Sequence, residues 1–542
     1  MPKYIFVTGG VLSSLGKGIA ASSLGTLLEH KKFKIALLKF DPYINVDPGT
    51  MNPYQHGEVY VTDDGAETDL DLGHYFRFTN SPLNKKSSVS TGQIYSEVIR
   101  RERKGDYLGK TVQVIPHITD EIKQRILACA HQQEGIDIVI VEIGGTVGDI
   151  ESLPYLESIR QFRNEHPNDC VNIHLTYVPF VKSCGEVKTK PTQHSVQQLR
   201  TIGIAPDFIL CRCEQLLAQE ERDKISLFCN VPREAVFDAV DVDTTIYEIP
   251  MNFHNQGMEI AVLKKLGLPD SPSDLKPWKV LVDAICHPKE SVRIGIVGKY
   301  VVHQDAYKSV FEALTHAGAH LGVHVELVKI EPDKFSDEKS FPDSCKGCDG
   351  YLIPGGFGDR GWEGKILAAQ YCRENKVPYF GICLGMQVMV VEFARNVLKY
   401  AKANSTEMDA ESPYPVISLL EEQNLITDRG GTMRLGNYPC TLKKATKAYA
   451  AYNADQVLER HRHRYEFNNS YKEAFQKAGL VTSGLYETDN LMEICEIASH
   501  PWMVGVQFHP EFRSKPLVAH PLFCEFVQHS LHNKKAHATK KP

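Results

Sequence analysis

The sequence predicts an α/β protein with two doubly wound domains, because short β-branched runs alternate with helical patterns in two separate regions. A chain of 542 residues is too long for one hydrophobic core, so two or three domains are expected. A polar stretch at 268–288, punctuated by prolines, separates the two regions. We therefore predict a first domain at 1–267, a linker at 268–290, a second domain at 291–532 and a disordered tail at 533–542.

The predicted strands are the short apolar runs that precede each helical pattern. Before the linker they lie at 4–7, 35–40, 136–143, 172–179 and 208–211. After the linker they lie at 291–297, 324–330 and 350–353. Strands that alternate with helices pair in parallel, so a parallel doubly wound sheet is expected in each domain.

Composition and charge exclude several classes of protein. A formal net charge of -6 argues against a general nucleic-acid binder, and no apolar run approaches the ~20 residues of a membrane span. The N-terminus lacks a signal-peptide pattern, and the 14 irregularly spaced cysteines are typical of reduced thiols, which predicts a cytoplasmic protein. The pairs Cys211/Cys213 and Cys345/Cys348 have no second ligand pair at zinc spacing, so no metal site is predicted there.

The most distinctive motif is the run 381–385, in which Cys383 lies between two glycines. It stands where an apolar run at 377–382 meets a helical pattern at 386–397. A sharp strand-to-helix turn exposes a nucleophile and points a helix N-terminus at it, which lowers a thiol pKa from ~8.5. An isolated cysteine is more often a small buried hydrophobe, but the glycine pair favours a reactive thiolate.

A histidine and a carboxylate that complete such a site follow much later in the chain. His509 and Glu511 are two positions apart, so in an extended segment their side chains share one face. The amides of the glycine-rich turn at 354–358, together with the amide of Leu384, are candidates for an oxyanion hole. Attack by Cys383 on a carboxamide would form a thioester and release ammonia.

On these motifs, residues 350–511 resemble the class I glutamine amidotransferases, in which a triad glutaminase supplies ammonia to a synthase. The resemblance implies that Cys383 attacks the glutamine side-chain amide, His509 shuttles the proton and Glu511 orients His509. It also implies a glutamine-binding set: Tyr54, Gly356, Leu384, Gly385, Met386, Gln387, Glu407 and Arg464. Of these, Glu407 and Arg464 correspond to positions that hold the amino and carboxylate groups of glutamine, with solvated charges as the alternative.

The first domain opens with a phosphate-binding pattern. A strand at 4–7 runs into the glycine-rich loop 8–18 and then into a helix of small residues. The loop amides and Lys17 suit phosphate groups at a helix N-terminus, although a tight turn without a ligand is the alternative. The loop is one residue longer than the strict motif, and Gly18 replaces the hydroxyl residue that would bind magnesium.

The metal must then be held elsewhere. Asp71 lies in the acidic run at 67–74, and Glu142 follows the apolar run at 138–141. A carboxylate at the C-terminal end of a central strand lies where such folds bind nucleotides, and Mg²⁺ needs one or two carboxylates beside phosphate oxygens. We predict Asp71 and Glu142 as the magnesium ligands, while Asp69 fits equally by composition.

A second basic set exceeds the needs of one nucleotide; it comprises Lys182, Lys188, Lys190 and Lys224. In the run 188–193, a proline stiffens the chain, and hydroxyl and amide groups accompany the lysines. A solvated charged loop is the alternative, but we favour a second polyphosphate site.

Four longer runs are similar to the CTP synthase family, at 39–51, 55–59, 67–74 and 188–193. The resemblance covers nearly the whole chain. It implies a P-loop-like, dethiobiotin-synthetase-like synthase (amidoligase) domain before the linker and a class I glutamine amidotransferase domain after it. The segment 417–431 looks shorter than in some members.

The family resemblance implies two nucleotide sites. For ATP the implied residues are Ser14, Leu15, Gly16, Lys17, Gly18, Ile19, Asp71, Val240, Asp241 and Val242, with Lys39 beside the phosphates. For UTP and the product CTP they are Ser13, Asp149, Ile150, Glu151, Lys188, Thr189, Lys190, Pro191, Thr192, Gln193 and Lys224. The triphosphate pocket for UTP is expected to form across a subunit interface.

The implied reaction moves the γ-phosphoryl group of ATP to the 4-oxygen of UTP, after which ammonia from glutamine displaces phosphate and gives CTP. The family also implies a homotetramer, a dimer of dimers for which filament formation stays open, with CTP as feedback inhibitor and GTP as activator. Pro53, Tyr54, His56 and Val59 match the region where ammonia enters, although packing explains them nearly as well. Neither nucleic acid nor a membrane is an expected partner.

Three other interpretations account for part of the sequence. Another ATP-dependent amide ligase, such as a cobyrinate-type enzyme, shares both domain types but not the runs at 41–51 and 188–193. A deviant P-loop ATPase of the partitioning type explains Lys17 but leaves Cys383 without a role. A filament-forming structural protein without catalysis is disfavoured by the intact triad and by Lys17.

Overall fold

The computed structural model describes residues 2–419 and 433–538, and its contacts divide the chain into two compact units. The first unit runs up to Pro48 and over Asp71–Val282, and the second comprises Gly49–Leu70 and the chain from Asp283 onward. The α/β class with two domains is confirmed. Most of the segment 417–431, which looks short for the family, lies outside the described residues.

The first unit is built on a seven-stranded sheet in which every neighbouring pair is parallel. From edge to edge the strands are Val236–Val240, Phe208–Cys213, Cys170–Tyr177, Lys3–Gly9, Ile138–Ile143, Ile35–Asp41 and Ser88–Ser90. The strands Ile35–Asp41 and Ile138–Ile143 are buried along their whole length, as expected for a parallel sheet covered on both faces.

Helices connect these strands and cover the sheet. They are Lys17–His30, Asp71–Phe78, Thr91–Lys104, Thr119–Ala130, Leu153–Glu165, Lys190–Thr201, Gln219–Cys229, Ile249–Asn255 and Met258–Lys265. A short hairpin pairs Phe180–Val181 with Glu186–Val187. Within residues 2–419 and 433–538, no helix is both long and apolar enough to cross a membrane.

The predicted linker at 268–290 is partly helical, since the helix Lys276–Cys286 lies inside it. Its buried Trp278 donates the indole N–H to the Tyr247 carbonyl at 2.7 Å and packs against Phe78. The prolines at the start of this stretch suggested an irregular segment, but Pro277 lies at the beginning of the helix, where its missing N–H costs nothing.

The second unit contains a nine-stranded sheet that is mixed rather than parallel, which corrects the prediction. From edge to edge the strands are Val323–Ile330, Glu290–Val297, Gly350–Ile353, Tyr379–Ile382, Met503–Val506, Leu491–Ile497, Leu480–Tyr486, Arg434–Leu442 and Gln456–His463. The first five are parallel, and the rest pair antiparallel. Short connections join Leu480–Tyr486 to Leu491–Ile497 and Leu491–Ile497 to Met503–Val506, and strands joined in this way pair antiparallel.

Helices lie on both faces of this sheet, so the core has two layers. The helices of the unit are Pro53–His56, Lys308–Leu321, Trp362–Asn375, Leu384–Asn396, Lys447–Tyr452, Lys472–Ala478 and Pro521–Ala538. A small sheet contains Ala403–Ser405, Tyr414–Leu419 and Tyr465–Phe467, and a hairpin pairs Tyr60–Val61 with Glu67–Thr68. Alternate residues of one strand enter the two layers: Tyr351 packs in one and Leu352 in the other.

The C-terminal helix corrects the prediction of a disordered tail from 533, because it continues to Ala538. Its apolar face, including Phe523 and Phe526, is fully buried. Its last turns are held by Asn533, which donates to the Asp349 carbonyl at 3.0 Å, and by an ion pair of Lys535 with Glu290 at 2.9 Å. Residues 539–542 lie outside the described part of the chain.

The segment Gly49–Leu70 belongs to the second unit, although the predicted boundary assigns it to the first domain. The Tyr60 hydroxyl donates to the Phe512 carbonyl at 2.9 Å, and the carboxylate of Glu58 accepts the Ser309 amide at 2.8 Å. These bonds join residues hundreds of positions apart, so no local pattern in the sequence could indicate them.

Candidate functional site

Cys383 lies at a strained elbow between the strand Tyr379–Ile382 and the helix Leu384–Asn396. Its φ of 51° is left-handed, which costs a residue with a side chain about 1–3 kcal/mol. A Cβ at Gly385 would lie 2.2 Å from the Ile353 carbonyl oxygen, and one at Gly381 would lie 2.6 Å from the Gly385 backbone. Both glycines are therefore required for the close packing that exposes the thiol to the cavity described below.

The predicted catalytic residues meet at this elbow. His509 Nδ1 is hydrogen-bonded to Glu511 Oε1 at 2.7 Å, and the imidazole stacks on the Phe512 ring with centroids 5.2 Å apart. A Cβ at Gly355 would lie 2.7 Å from His509 Cε1 and 3.5 Å from Cys383 Cβ, so the glycine-rich turn contacts both side chains.

Charge around His509 favours the imidazolium form. Burial alone would lower the pKa of His509, but the Glu511 carboxylate and the Cys383 sulfur outweigh it and raise the pKa from 6.5 to about 10. The resting histidine therefore already carries the proton that a leaving group needs.

Two residues that were not predicted contact the Cys383 sulfur. Gln507 donates its side-chain amide to Cys383 Sγ at 3.7 Å, and the Arg462 carbonyl oxygen lies 3.9 Å from the same sulfur. The predicted glutamine-binding residue Gln387 donates to the Gln507 side chain at 3.5 Å and to the Tyr465 carbonyl at 3.3 Å. Gln387 therefore supports the site from within the helix.

A cavity of about 270 Å³ opens onto Cys383 and His509. Predicted residues that line it are Pro53, Val59, Gly356 and Glu511. Residues that were not predicted as site residues also line it; they include Gly49, Met51, Tyr300 and Arg462. The Arg462 guanidinium donates to Glu67 at 2.8 Å and to the Gly49 carbonyl at 2.9 Å, and these bonds fix its position in the cavity wall.

The other predicted glutamine ligands lie around the same turn. Glu407 accepts the Gly358 amide at 2.7 Å; burial raises the pKa of its carboxyl, and Arg464 is among the cations that oppose this. Leu384, Gly385 and Met386 form the first turn of the helix after the nucleophile.

Tyr54 lies in a polar and aromatic cluster of the second unit. Its hydroxyl donates to the Lys299 carbonyl at 3.0 Å and accepts from Arg360 at 2.9 Å. Its ring meets Tyr300 edge to face, with centroids 4.9 Å apart. His56 ends the short helix Pro53–His56 beside it.

In the first unit, the glycine-rich loop connects the strand Lys3–Gly9 to the helix Lys17–His30 as predicted. Ser14 and Gly16 have left-handed φ values of 59° and 91°, which turn successive amides outward. The buried Lys17 donates to the Gly145 carbonyl at 2.6 Å, and burial lowers the pKa of its ammonium. Gly9 has no room for a side chain, because a Cβ there would lie 2.7 Å from Lys17 Cδ.

Carboxylates converge beside this loop on the ammonium of Lys39. Lys39 pairs with Asp71, and its Nζ lies 3.4 Å from Glu142 Oε1 and 3.7 Å from Asp41 Oδ1. Burial would raise the pKa of Asp71, but Lys39 and other cations outweigh it and hold the pKa below its ordinary value. Burial raises the pKa of Glu142 despite the same lysine.

The donor set at this point fits magnesium held partly by phosphate oxygens. No group of three or more His, Cys, Asp or Glu side chains in the described residues is arranged to hold a metal ion. Two carboxylates, Asp71 and Glu142, are nevertheless the number that Mg²⁺ takes beside a polyphosphate. The structure therefore brings together the residues that the sequence analysis proposed as ligands.

A small pocket of about 20 Å³ lies beside the loop, next to the residues predicted to contact adenine. Its lining includes the predicted Leu15, Gly16, Ile19 and Val240, with Arg212 as an unpredicted member. Arg212 also forms an ion pair with the predicted Asp241. Asp241 and the predicted Val242 directly follow the strand Val236–Val240. Arg212 was not predicted, because only the pairing of its strand brings it to the loop.

The second phosphate region is built around the helix Lys190–Thr201. Gln193 donates to the Thr189 hydroxyl at 3.1 Å, and Thr192 donates to the Tyr177 carbonyl at 3.1 Å. A cavity of about 510 Å³ borders this helix and is lined by Lys190, Gln193, His194, Val196, Gln197, Arg200, Thr201 and Phe228. Pro191 lies in the first turn of the helix.

The remaining predicted nucleotide residues are more scattered. Asp149 and Glu151 line a cavity of about 410 Å³ with Tyr43, and the exposed Ile150 lies between them. Others lie on exposed surfaces: Ser13 in the glycine-rich loop, Lys182 in the hairpin, and Lys224 on the helix Gln219–Cys229. Lys188 forms an ion pair with Glu186, which is not one of the predicted nucleotide-binding residues.

A strained cysteine beside a hydrogen-bonded histidine and glutamate, together with a separate glycine-rich loop between a strand and a helix, is typical of glutamine-dependent ligases. Comparison with known families gives two matches: CTP synthase N-terminus over residues 3–268 and glutamine amidotransferase class-I over residues 302–529. The chain belongs to the CTP synthase family.

Individual relatives are similar along nearly the whole chain. CTP synthase of Protochlamydia amoebophila (strain UWE25) is 62% identical over 527 residues, and that of Chlamydia felis (strain Fe/C-56) is 59% identical over 527 residues. Each alignment covers 97% of both chains. The solved glutaminase domain of Trypanosoma brucei CTPS with bound acivicin is 36% identical, with a TM-score of 0.41, over 44% of this chain and 94% of that chain.

Proposed function

We propose that this chain aminates UTP to CTP, using ATP and the ammonia that it releases from glutamine, and forms ADP, phosphate and glutamate. The observation that carries the proposal is the meeting of Cys383, His509 and Glu511 beside one cavity. A chain with this site and a separate phosphate loop contains a nitrogen source and a place to use ATP.

The glutaminase half-reaction follows from the geometry of the elbow. The Cys383 thiolate attacks the side-chain amide of glutamine, and the amides after Cys383 and around Gly356 stabilise the oxyanion. His509 gives its proton to the leaving ammonia, while Glu511 holds the imidazole in place. Water then hydrolyses the thioester to glutamate. Glu407 and Arg464 bind the amino and carboxylate groups of the substrate.

The synthase half-reaction uses the first unit. ATP binds at the loop 14–19 with its adenine near 240–242, and Lys17 and Lys39 bind its phosphates. UTP and product CTP bind Ser13, Asp149–Glu151, Lys188–Gln193 and Lys224. Asp71 and Glu142 would hold Mg²⁺, which neutralises phosphate charge during transfer to the uracil 4-oxygen. Ammonia then displaces the phosphate.

Regulation and assembly extend the proposal. We propose feedback inhibition by CTP in the triphosphate pocket, activation of the glutaminase by GTP, and a cytoplasmic homotetramer. The half-buried Lys188 and the exposed Lys224 are compatible with a UTP site completed by another subunit.

The direct test incubates the pure protein with ATP, Mg²⁺ and UTP, and with either glutamine or ammonium as nitrogen donor. CTP and ADP are quantified by chromatography. We expect CTP from both donors and none when ATP is omitted. Absence of CTP with both donors would contradict the proposal.

A further inference from the structure

Five buried ionisable side chains form a closed ring in the second unit, and the reaction described above uses none of them. Arg434 Nη1 lies 2.7 Å from Glu493 Oε1 and 3.2 Å from Glu466 Oε1. His461 Nδ1 is hydrogen-bonded to His463 Nε2 at 2.8 Å. His461 Nε2 lies 3.4 Å from Glu493 Oε2, and His463 Nδ1 lies 3.5 Å from Glu466 Oε1. We call this set the buried ring.

The buried ring joins four strands and is shielded from water. Arg434, its most exposed member, is 7% exposed. The ring members come from Arg434–Leu442, Gln456–His463, Tyr465–Phe467 and Leu491–Ile497. The Arg434 guanidinium lies over the Tyr438 and Tyr486 rings, 4.3 and 4.7 Å from their centroids. The two tyrosine side chains thus hold the Arg434 guanidinium in the position that faces both carboxylates.

Members of the buried ring are adjacent to, or hydrogen-bonded with, the two residues that contact the Cys383 sulfur. His461 and His463 flank Arg462, and side chains alternate along a strand, so the histidines enter the ring while Arg462 lines the cavity. The Arg462 carbonyl lies 3.9 Å from Cys383 Sγ.

Glu493 is linked to the same sulfur through Gln507. Its backbone carbonyl accepts the Gln507 amide at 2.8 Å, and the Gln507 side chain donates to Cys383 Sγ at 3.7 Å.

We propose that the buried ring is a positioning element for Cys383, in which His461, His463 and Glu493 hold the backbone of Arg462 and Gln507 around the thiol. The inference rests on the proposed function, because glutamine hydrolysis is the activity that it governs. A misplaced reacting group loses rate steeply with distance, so a ring that has collapsed or become charged would slow attack by the sulfur.

The alternative is that the ring only stabilises the fold, and its chemistry argues against this. Burying charges is costly, and an ion network in the interior is weak evidence for stability. One cation faces two carboxylates, and burial raises the pKa of Glu466 to about 8 and that of Glu493 to about 7. Burial also keeps both histidines neutral by lowering their pKa values. The ring is therefore closest to neutral when one carboxyl is protonated.

Other titratable groups also face the ring and enter its pH dependence. They are Asp489 beside Glu466, His509 beside both histidines, Tyr438 beside Arg434, and Cys440 beside Glu493.

The test compares Glu493→Ala and Glu493→Gln in the full-length protein. Glutaminase kcat and KM, CTP synthesis from ammonium and the melting temperature are measured for each. We expect Glu493→Ala to lower glutaminase kcat roughly tenfold with little change in KM or in ammonium-dependent synthesis. Glu493→Gln, which keeps the shape and the neutral state, should restore most of the activity and flatten the glutaminase pH profile above neutrality.

The matched control is Glu392→Ala. Glu392 is also fully buried in the second unit and pairs with Arg373 at 2.8 Å, but this pair joins two helices. The control should lose thermal stability while keeping its glutaminase kcat within about threefold.

Three results would overturn the inference: unchanged glutaminase kcat in Glu493→Ala, an equal fall with both nitrogen donors, or an equal fall of glutaminase kcat in the control. If Glu493→Ala does not fold, Glu493→Gln and His463→Asn decide by the same measurements, with the rate of Cys383 alkylation by iodoacetamide as an added readout. Failure of the wild-type protein to make CTP from either donor would instead contradict the proposed function.

Discussion

The Asp71 carboxylate fills the space in which a side chain at Gly18 would stand, since a Cβ there would lie 2.2 Å from Asp71 Oδ1. The strict phosphate-loop motif has a hydroxyl residue at this position, and that residue binds magnesium. In this protein a carboxylate from a separate helix takes the position, while Lys39 keeps it ionised. The deviation from the motif is thus compensated by a residue far along the chain.

Gly18→Ala is expected to displace the Asp71 carboxylate and to lower CTP synthesis from ammonium roughly tenfold or more. Glutaminase activity, which belongs to the second unit, should remain. Both activities are measured at saturating ATP and again at limiting ATP. Wild-type synthesis in this variant would mean that Asp71 has no role at the phosphates.

Lys17→Ala should stop CTP synthesis from both nitrogen donors, because it removes the buried cation at the loop. We expect a loss of roughly 100-fold or more in ammonium-dependent synthesis, with basal glutaminase retained. Lys34→Ala, at an exposed position after the same helix, is the control and should behave as wild type. Surviving synthesis in Lys17→Ala would place ATP elsewhere.

Cys383→Ala should abolish glutamine-dependent synthesis and leave synthesis from added ammonium. The sulfur is the atom that bonds to the substrate, so no neighbouring group can replace it. Measuring CTP with each donor separates the two half-reactions. Loss of both would show that the elbow supports the fold rather than the chemistry.

The pKa of His509 predicts the alkaline limit of the glutaminase. Folding raises this pKa from 6.5 to about 10, so the proton stabilises the folded protein fully below pH 6.5, and this contribution is lost as pH rises through about 10. Glutaminase activity should fall over the same upper range, as the imidazolium loses its proton. Glu511→Gln removes the main group that raises the pKa.

For Glu511→Gln we therefore expect kcat to fall roughly 100-fold or more and the alkaline limb to move to lower pH. A pH profile of glutaminase kcat checks both effects. An alkaline limb that stays in place would mean that Glu511 does not set the protonation of His509.

Glu466 predicts a loss of stability at alkaline pH. Its pKa rises from 4.5 to about 8 in the folded protein, so between these values the folded state binds a proton that the unfolded state does not. Stability must then fall as pH rises through this interval. Glu466→Gln has no such proton to lose, and its melting temperature should fall less than that of wild type between about pH 5 and about pH 8. Equal slopes in calorimetry would contradict the assignment.

Local motifs allowed the two reactive centres to be predicted. The elbow around Cys383 needs glycines at fixed positions, and the loop before Lys17 needs a strand, small residues and a helix in order. Each feature is contained within about twenty neighbouring residues, so its physical requirement appears in the sequence. Asp71 could also be predicted, because the glycine at position 18 lacks the hydroxyl that the strict motif uses as a magnesium ligand.

Features that depend on distant contacts could not be predicted. The basic run around 461–464 contains both Arg462 and Arg464. Arg462, which lines the cavity, lies inside the strand Gln456–His463, whereas Arg464 follows the end of this strand, and no local pattern marks that end. Gln507 contacts the sulfur through the pairing of strands far apart in sequence. The mixed second sheet escaped prediction for the same reason, since strand direction depends on connections rather than on composition.

The membership of Gly49–Leu70 in the second unit has a consequence for how the two activities can be divided. A fragment that begins at Asp283 would lack Glu67 and Gly49, which hold Arg462, and would lose one wall of its cavity. The amidotransferase unit therefore cannot be separated from the rest of the chain by a single cut. Gly49–Leu70 precedes most of the ATP-using unit along the chain but lines the cavity at Cys383, so a substitution near residue 60 is expected to affect glutamine hydrolysis.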